Sequence, residues 1–151
     1  MKPILIVVSP YYQDIAEQLV RGASQVISDA GLKVEIITVP GAFEIPAAIG
    51  FALRANRYSG FIALGCVIRG ETSHYDVVCN ETARAIQDLG VQFGAAIGFG
   101  LLTTENLEQA LVRADIAQGD KGGEAAKACL RMLELQQVFL GDAAEEDDSD
   151  E

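Results

Sequence analysis

Four short apolar runs alternate with longer segments of helical period along this chain of 151 residues. The first run, Ile4 to Val8, is continuous and largely β-branched, which predicts a buried strand. A loop, Ser9-Pro10-Tyr11-Tyr12-Gln13-Asp14, follows it. A helix is predicted from about Ile15 to Ala30, with Ile15, Leu19, Ala23, Val26 and Ile27 on one face and Gly31 as its stop. Val34 to Val39 reads as the second strand. Pro40-Gly41-Ala42-Phe43-Glu44-Ile45-Pro46 then leads into a helix reaching about Asn56, with Ile49, Ala52 and Leu53 apolar. Phe61 to Leu64 is the third strand, and Gly65 to Asp76 reads as a strand-to-helix loop. The helix after it, Asp76 to Leu89, places Val78, Cys79, Ala83, Ile86 and Leu89 at near-helical spacing. A fourth strand is predicted near Gln92 to Gly98, ending at Phe99-Gly100. A helix from Glu105 to about Ala114 follows, with Thr104 as its N-cap and Glu105 favouring its first turn. A turn at Gly119 to Gly123 precedes the last helix, from Glu124 to about Leu140.

This β-α-β-α-β-α-β-α-α order predicts a parallel four-stranded sheet with helices on both faces and right-handed crossovers. No internal repeat is visible. The length suits one domain, over residues 1–141.

The net charge of −11 is concentrated at one end. Asp142, Glu145, Glu146, Asp147, Asp148, Asp150 and Glu151 put seven negative charges in the last ten residues; removing those seven from −11 leaves −4 for the body. Residues 142–151 are therefore expected as a solvated, disordered acidic tail. The body shows no basic face for nucleic acid. No apolar run approaches the ~18 residues of a membrane span. The first run is too short for a secretory core and no small-residue cleavage site follows, so a cytoplasmic location is expected. Cys66, Cys79 and Cys129 are odd in number and form no C-x-x-C pair, which points to neither a disulfide framework nor a zinc site.

The candidate chemistry lies in three loops at the expected carboxyl edge of the sheet, where ligands bind in open α/β folds. The third loop holds the only histidine, His74. Gly70 allows a tight turn or close approach of a ligand. Thr72, Ser73 and the free amides of the helix start can cradle an anion. On these residues alone two readings stay open: proton transfer on a phosphorylated molecule, or a capped helix with a surface histidine. The first loop lacks a G-x-G-x-x-G, and also a Thr/Ser-rich loop for a flavin phosphate. It carries Tyr11 and Tyr12, either of which can stack on a flat heterocycle, although at least one is expected to pack under the loop or face water. In the second loop the amides near Ala42 and Phe43 can read a heterocycle edge, and Glu44 can accept a hydrogen bond. Cys66 is weighed as a nucleophile and placed below a packing role. Arg113 suits its helix end and is also able to clamp a phosphate.

Taken together, Val39-Pro40-Gly41-Ala42-Phe43-Glu44-Ile45-Pro46 and Gly65-x-Val67-Ile68-Arg69-Gly70-Glu71-Thr72-x-His74-Tyr75-Asp76 resemble the lumazine synthase family. Leu102-Thr103-Thr104-Glu105-Asn106, Glu108-Gln109-Ala110, Arg113-Ala114 and Asp120-Lys121-Gly122 extend the resemblance from Ile4 to about Leu140. It implies a flavodoxin-like three-layer α/β/α sandwich. It implies condensation of 5-amino-6-(D-ribitylamino)uracil with 3,4-dihydroxy-2-butanone 4-phosphate, in riboflavin biosynthesis, without metal or redox cofactor. Tyr11 matches the aromatic that stacks on the pyrimidine, where the family more often has Phe or Trp. Ala42, Phe43 and Glu44 match the segment binding the ribityl chain and uracil, and Cys66, Val67 and Ile68 the segment reading the pyrimidine edge. Many relatives have Thr or Ala at the Cys66 position. Glu71 and Thr72 match the phosphate-binding amides, and His74 the proton-transfer histidine. Phe99 and Arg113 match residues supplied by a neighbouring subunit, Arg113 to the phosphate. The implied assembly is a homopentamer, with riboflavin synthase as a candidate partner. Members that build large shells usually have a longer amino-terminal arm, and this chain also ends in a longer acidic tail, so the pentamer is the expected state. A rival reading from another class is a weakly catalytic or non-catalytic paralogue that binds flavin-pathway ligands; an assay with both substrates separates the two. A phosphosugar aldolase would need a Schiff-base lysine, for which Lys121 is the candidate.

Overall fold

The computed structural model describes residues 1–149, with the side chains of residues 1–141. The acidic tail expected over 142–151 lies outside those described side chains. The elements are β1 (Ile4–Val8), α1 (Gln13–Asp29), β2 (Val34–Thr38), a 3-10 turn (Ala42–Glu44), α2 (Ile45–Ala55), β3 (Gly60–Ile68), α3 (His74–Phe93), β4 (Ile97–Thr104), α4 (Leu107–Ala114) and α5 (Lys121–Ser149). The four strands pair in the order β2-β1-β3-β4, all parallel. Ile4 is in register with Val34 on one side and Gly60 on the other, and Phe61 with Ile97.

Alternation along the central strands sorts their side chains into two cores. Ile4, Ile6, Val8, Ile62 and Leu64 face α1, α4 and α5, meeting Ile15, Leu19, Ala23, Ile27, Ala110 and Cys129. Leu5, Val7, Phe61 and Ala63 face the other way, onto Ile45 and Ile49 of α2 and Val78 and Ile86 of α3. The result is a flavodoxin-like three-layer α/β/α sandwich. Full burial of a side chain such as Ile15, Leu19 or Ile27 contributes on the order of 1.5–3 kcal/mol each. No helix among the described residues is long and apolar enough to cross a membrane.

Several boundaries differ from the sequence reading. Gly65 to Ile68 is strand, not loop: Gly65, Cys66, Val67 and Ile68 pair with Leu101 to Thr104. Gly65 marks crowding within the strand, since a β-carbon there would lie 3.2 Å from Leu101 Cδ1 and 3.3 Å from Ser9 Cβ. The loop narrows to Arg69–Ser73, and α3 begins at His74, not Asp76. That helix runs past Leu89 to Phe93 and stops where Gly94 takes φ 66°. The fourth strand is accordingly Ile97–Thr104, so Gln92 is helical and Phe99 lies within the strand. The N-cap of α4 is Asn106, whose side chain accepts from the Gln109 amide at 2.9 Å; Thr104 is still strand and donates to the Asn106 carbonyl at 3.0 Å. Finally, α5 starts at Lys121 and runs through Gly122 and Gly123. A methyl on Gly122 would collide with the Leu19 carbonyl, so this glycine is where α5 presses against α1.

Candidate active site

After β1 the chain steps outward to β2, then returns across β1 to form β3. The strand order therefore reverses between β1 and β3, and a crevice opens at their carboxyl ends. It is a cleft of about 610 Å³. The loop after β1 brings Ser9, Tyr11 and Tyr12; the segment after β2 brings Pro40 to Glu44; the end of β3 brings Cys66, Val67 and Ile68; the start of α3 brings His74, Val77 and Val78.

The floor is fixed by the ladder. Ser9 is buried, and its amide donates to the Leu64 carbonyl at 3.0 Å, tying the first loop to β3. The two tyrosines then diverge. Tyr12 is half-buried against the α1 core, and burial raises the pKa of its phenol. Tyr11 stands edge-on to it, ring centroids 5.0 Å apart, and remains 75% exposed. Phe43 of the 3-10 turn is 56% exposed on the same cleft. Two aromatic faces are thus held in water beside one cavity, at a cost that a flat ligand would recover. Glu44 stands at the N-cap position of α2 without capping it, and its carboxylate makes no hydrogen bond or ion pair among the described residues.

Cys66 is buried, and burial pushes its thiol up from 9.0 to about 11, partly offset by the neighbouring Thr104 hydroxyl. At neutral pH it is therefore a protonated wall group and not a nucleophile, because attack needs the thiolate. His74 opens α3, its amide donating to Thr72 Oγ1 at 3.3 Å. Ser73, at the N-cap position, makes no side-chain cap bond. Of the first amides of α3, that of His74 is taken by Thr72 and those of Asp76 and Val77 donate to the Ser73 carbonyl at 3.1 and 3.3 Å, which leaves the Tyr75 amide as the donor open to an anion next to the imidazole. Gly70 does not have the role expected of it in a turn: its φ is not in the left-handed region, and a β-carbon there would meet nothing within 4 Å.

Tyr11, Ala42, Phe43, Glu44, Cys66, Val67, Ile68 and His74 thus come together in one cleft. Glu71 and Thr72 flank it in the exposed loop before His74. Phe99 and Arg113 do not join it. Phe99 lines a separate groove of about 620 Å³ with Val91 and Met132. Arg113 sits in the last turn of α4, its Nη1 donating to the Gln109 carbonyl at 3.0 Å. Sequence reasoning missed Ser9, Val77 and Val78 as cleft residues. Val77 carried a signal, as a β-branched residue off the core face of its helix. Among the described residues, no cluster of His, Cys, Asp and Glu is placed to hold a metal ion.

The profile of the 6,7-dimethyl-8-ribityllumazine synthase family matches residues 2–137. A protein from Rhizobium meliloti (strain 1021), named 6,7-dimethyl-8-ribityllumazine synthase 1, is 52% identical over 139 residues, covering 89% of this chain and 91% of its own. The 6,7-dimethyl-8-ribityllumazine synthase of Novosphingobium aromaticivorans is 52% identical over 137 residues, covering 91% and 98%. That of Agrobacterium fabrum (strain C58) is 50% identical over 143 residues, covering 91% and 97%. The loops that build the cleft and the length of the match agree: the chain belongs to the 6,7-dimethyl-8-ribityllumazine synthase family.

Proposed function

We propose that this chain condenses 5-amino-6-(D-ribitylamino)uracil with 3,4-dihydroxy-2-butanone 4-phosphate to 6,7-dimethyl-8-ribityllumazine, releasing phosphate and water. The observation that carries the proposal is the single cleft at the strand-order reversal, which gathers two exposed aromatic side chains, Tyr11 and Phe43, with the only histidine of the sequence. Tyr11 and Phe43 sandwich the pyrimidine, the backbone of Cys66 to Ile68 reads its edge, and Glu44 takes a ribityl hydroxyl. The phosphate of the second substrate lies at the backbone amides of Glu71 and Thr72 and the open Tyr75 amide of α3, next to His74. The aromatic amine attacks the ketone and water leaves as the imine forms. Loss of phosphate, tautomerisation and ring closure with loss of a second water complete the product. Much of the rate comes from holding two reactants in register, and His74 moves the protons.

The working unit is a ring of copies, a pentamer on the family resemblance, in which Phe99 and Arg113 of one protomer complete the cleft of the next. This reading is supported by their distance from the cleft of their own chain and by large apolar side chains left in water. Phe51, Val91 and Phe93 are 69%, 74% and 68% exposed. The test is direct. Purified protein given both substrates without added metal is expected to form the fluorescent lumazine faster than buffer does. A rate equal to that of buffer, with pyrimidine binding intact, would overturn the proposal.

A further inference from the structure

Arg69 joins three parts of the fold. Its amide closes the β3–β4 ladder, donating to the Thr104 carbonyl at 2.9 Å. Its guanidinium carbon lies 4.3 Å from the centroid of the Tyr75 ring. Its Nε stands 2.9 and 3.1 Å from the two carboxylate oxygens of Glu105, and its Nη1 3.4 Å from Asp76. Tyr75 and Asp76 form the first turn of α3 directly after His74. Glu105 immediately precedes Asn106, the N-cap of α4. One side chain therefore ties the end of β3 to the starts of two helices.

Other arginine–carboxylate pairs in the molecule are of a different kind. Arg84 pairs with Glu81 and Asp88 within α3, and Arg131 with Glu134 within α5. Such pairs decorate a helix that forms anyway. The partners of Arg69 lie 7 and 36 positions away, on other elements. The loop it spans has little else to hold it. Residues 70 to 73 are exposed, Ser73 provides no side-chain cap, and the side-chain hydrogen bond within the loop is the 3.3 Å contact of Thr72 with the His74 amide. A guanidinium suits the task because it can stack with its face while its edge bonds two carboxylates, which a lysine cannot do.

We propose that Arg69 is a positioning residue: by clamping the first turn of α3 it holds His74 at the rim of the cleft, and through Glu105 it sets that turn against the start of α4. The inference rests on the proposed reaction, in which His74 moves protons. Arg69 touches no substrate and does its work through the placement of its neighbour.

The test uses the full-length protein and the variants Arg69→Met, Arg69→Lys and Arg84→Met. Arg69→Met is expected to lower kcat by about tenfold to a hundredfold, the scale of a small misplacement of a reacting group. KM for the pyrimidine should stay near that of the parent, since Tyr11, Phe43 and Val67 are untouched. Arg69→Lys should recover little of the loss, and Arg84→Met should change nothing. With an isotope-labelled imidazole, the resonance of the single histidine should broaden or split in Arg69→Met and not in Arg84→Met. If Arg69→Met fails to fold, Glu105→Gln and Asp76→Asn each remove one arm of the clamp and should each show part of the kcat loss and part of the imidazole change. An unaltered kcat with an unaltered imidazole signal, in Arg69→Met or in both single-arm variants, would overturn the clamp. So would a loss of stability in the folded variants with the His74 signal unmoved. Should the parent protein make no lumazine, the proposed reaction fails, and the imidazole comparison still decides whether Arg69 places His74.

Discussion

A cysteine beside the only histidine of a cleft invites a thiol mechanism, and the surroundings of Cys66 argue against one. The side chain lies in the core beneath the cleft, and its proton is held until about pH 11. Burial disfavours the charged form, so thiolate accumulates only as pH rises toward that value. A thiol-alkylating reagent is expected to leave Cys66 of the native protein almost unmodified at pH 7, with labelling rising steeply above pH 9. Peptide mapping after a timed exposure checks this, and Cys66→Ala should keep turnover. Rapid labelling at pH 7 would show a thiolate that the burial does not allow. Tyr11 makes the opposite case, an apolar ring left in water. If it stacks on a ligand, Tyr11→Ala should weaken pyrimidine binding by about 0.5–1.5 kcal/mol, roughly twofold to twelvefold in Kd. Tyr11→Phe should keep the affinity. Titration calorimetry separates the outcomes, and equal affinity in all three proteins would remove Tyr11 from the site.

At the scale of elements, what can be read from the sequence follows the range of the interactions that fix each boundary. The strand Ile4–Val8 and the helix ending at Gly31 are set by local pattern, and both are legible. Gly65 is not: it reads as the start of the loop, yet it lies within β3 and its cause is the contact with Leu101, which arrives from far along the chain. Gln92 reads as the start of a strand, but the helix runs on to Phe93 and stops at Gly94 with its positive φ; Val91 and Phe93 point to water and leave no core pattern that would mark those residues as helical. The cleft loops were legible as segments, since each lies between two recognisable elements. The partners of Arg69 were not, because a residue 36 positions away carries no mark in the sequence of its partner. Close helix contact gives a prediction at this scale. Gly122→Ala should destabilise the fold by about 1–3 kcal/mol, the usual cost of overpacking, because α5 would have to move off the Leu19 carbonyl. Urea unfolding measures it. A variant as stable as the parent would mean that α1 and α5 are looser than described.

For the whole molecule, the decisive arrangement is that Phe99 and Arg113 stand apart from the cleft that holds His74. If adjacent protomers share each site, two defective chains can repair each other. His74→Ala alone should lose roughly two to four powers of ten in rate, and Arg113→Ala alone should also be slow. Refolded together in equal amounts, they should form mixed rings in which roughly a quarter of the interfaces pair an intact His74 side with an intact Arg113 side, as random head-to-tail closure requires. Activity near that fraction of wild type supports the shared site. Activity no higher than the average of the two variants, with mixing proved by mass spectrometry, would place each site within one chain.

Every side chain that lines the His74 cleft falls between Ser9 and Val78. The remainder of the chain supplies the rest of α3 and β4, α4 and α5, with Phe99 on β4 and Arg113 on α4. The polypeptide is thus divided by task at about its midpoint. Under the shared-site reading, a chimera that kept the first 78 residues and borrowed the rest from a relative would carry the His74 cleft walls with the first part and the Phe99 and Arg113 that complete a neighbour's cleft with the second. The two parts are not independent in folding, because α1 and α5 share one core. Exchanging the second part between relatives would nonetheless replace Phe99 and Arg113 without touching a side chain of the His74 cleft, provided the seam along α1 and α5 is repacked with it.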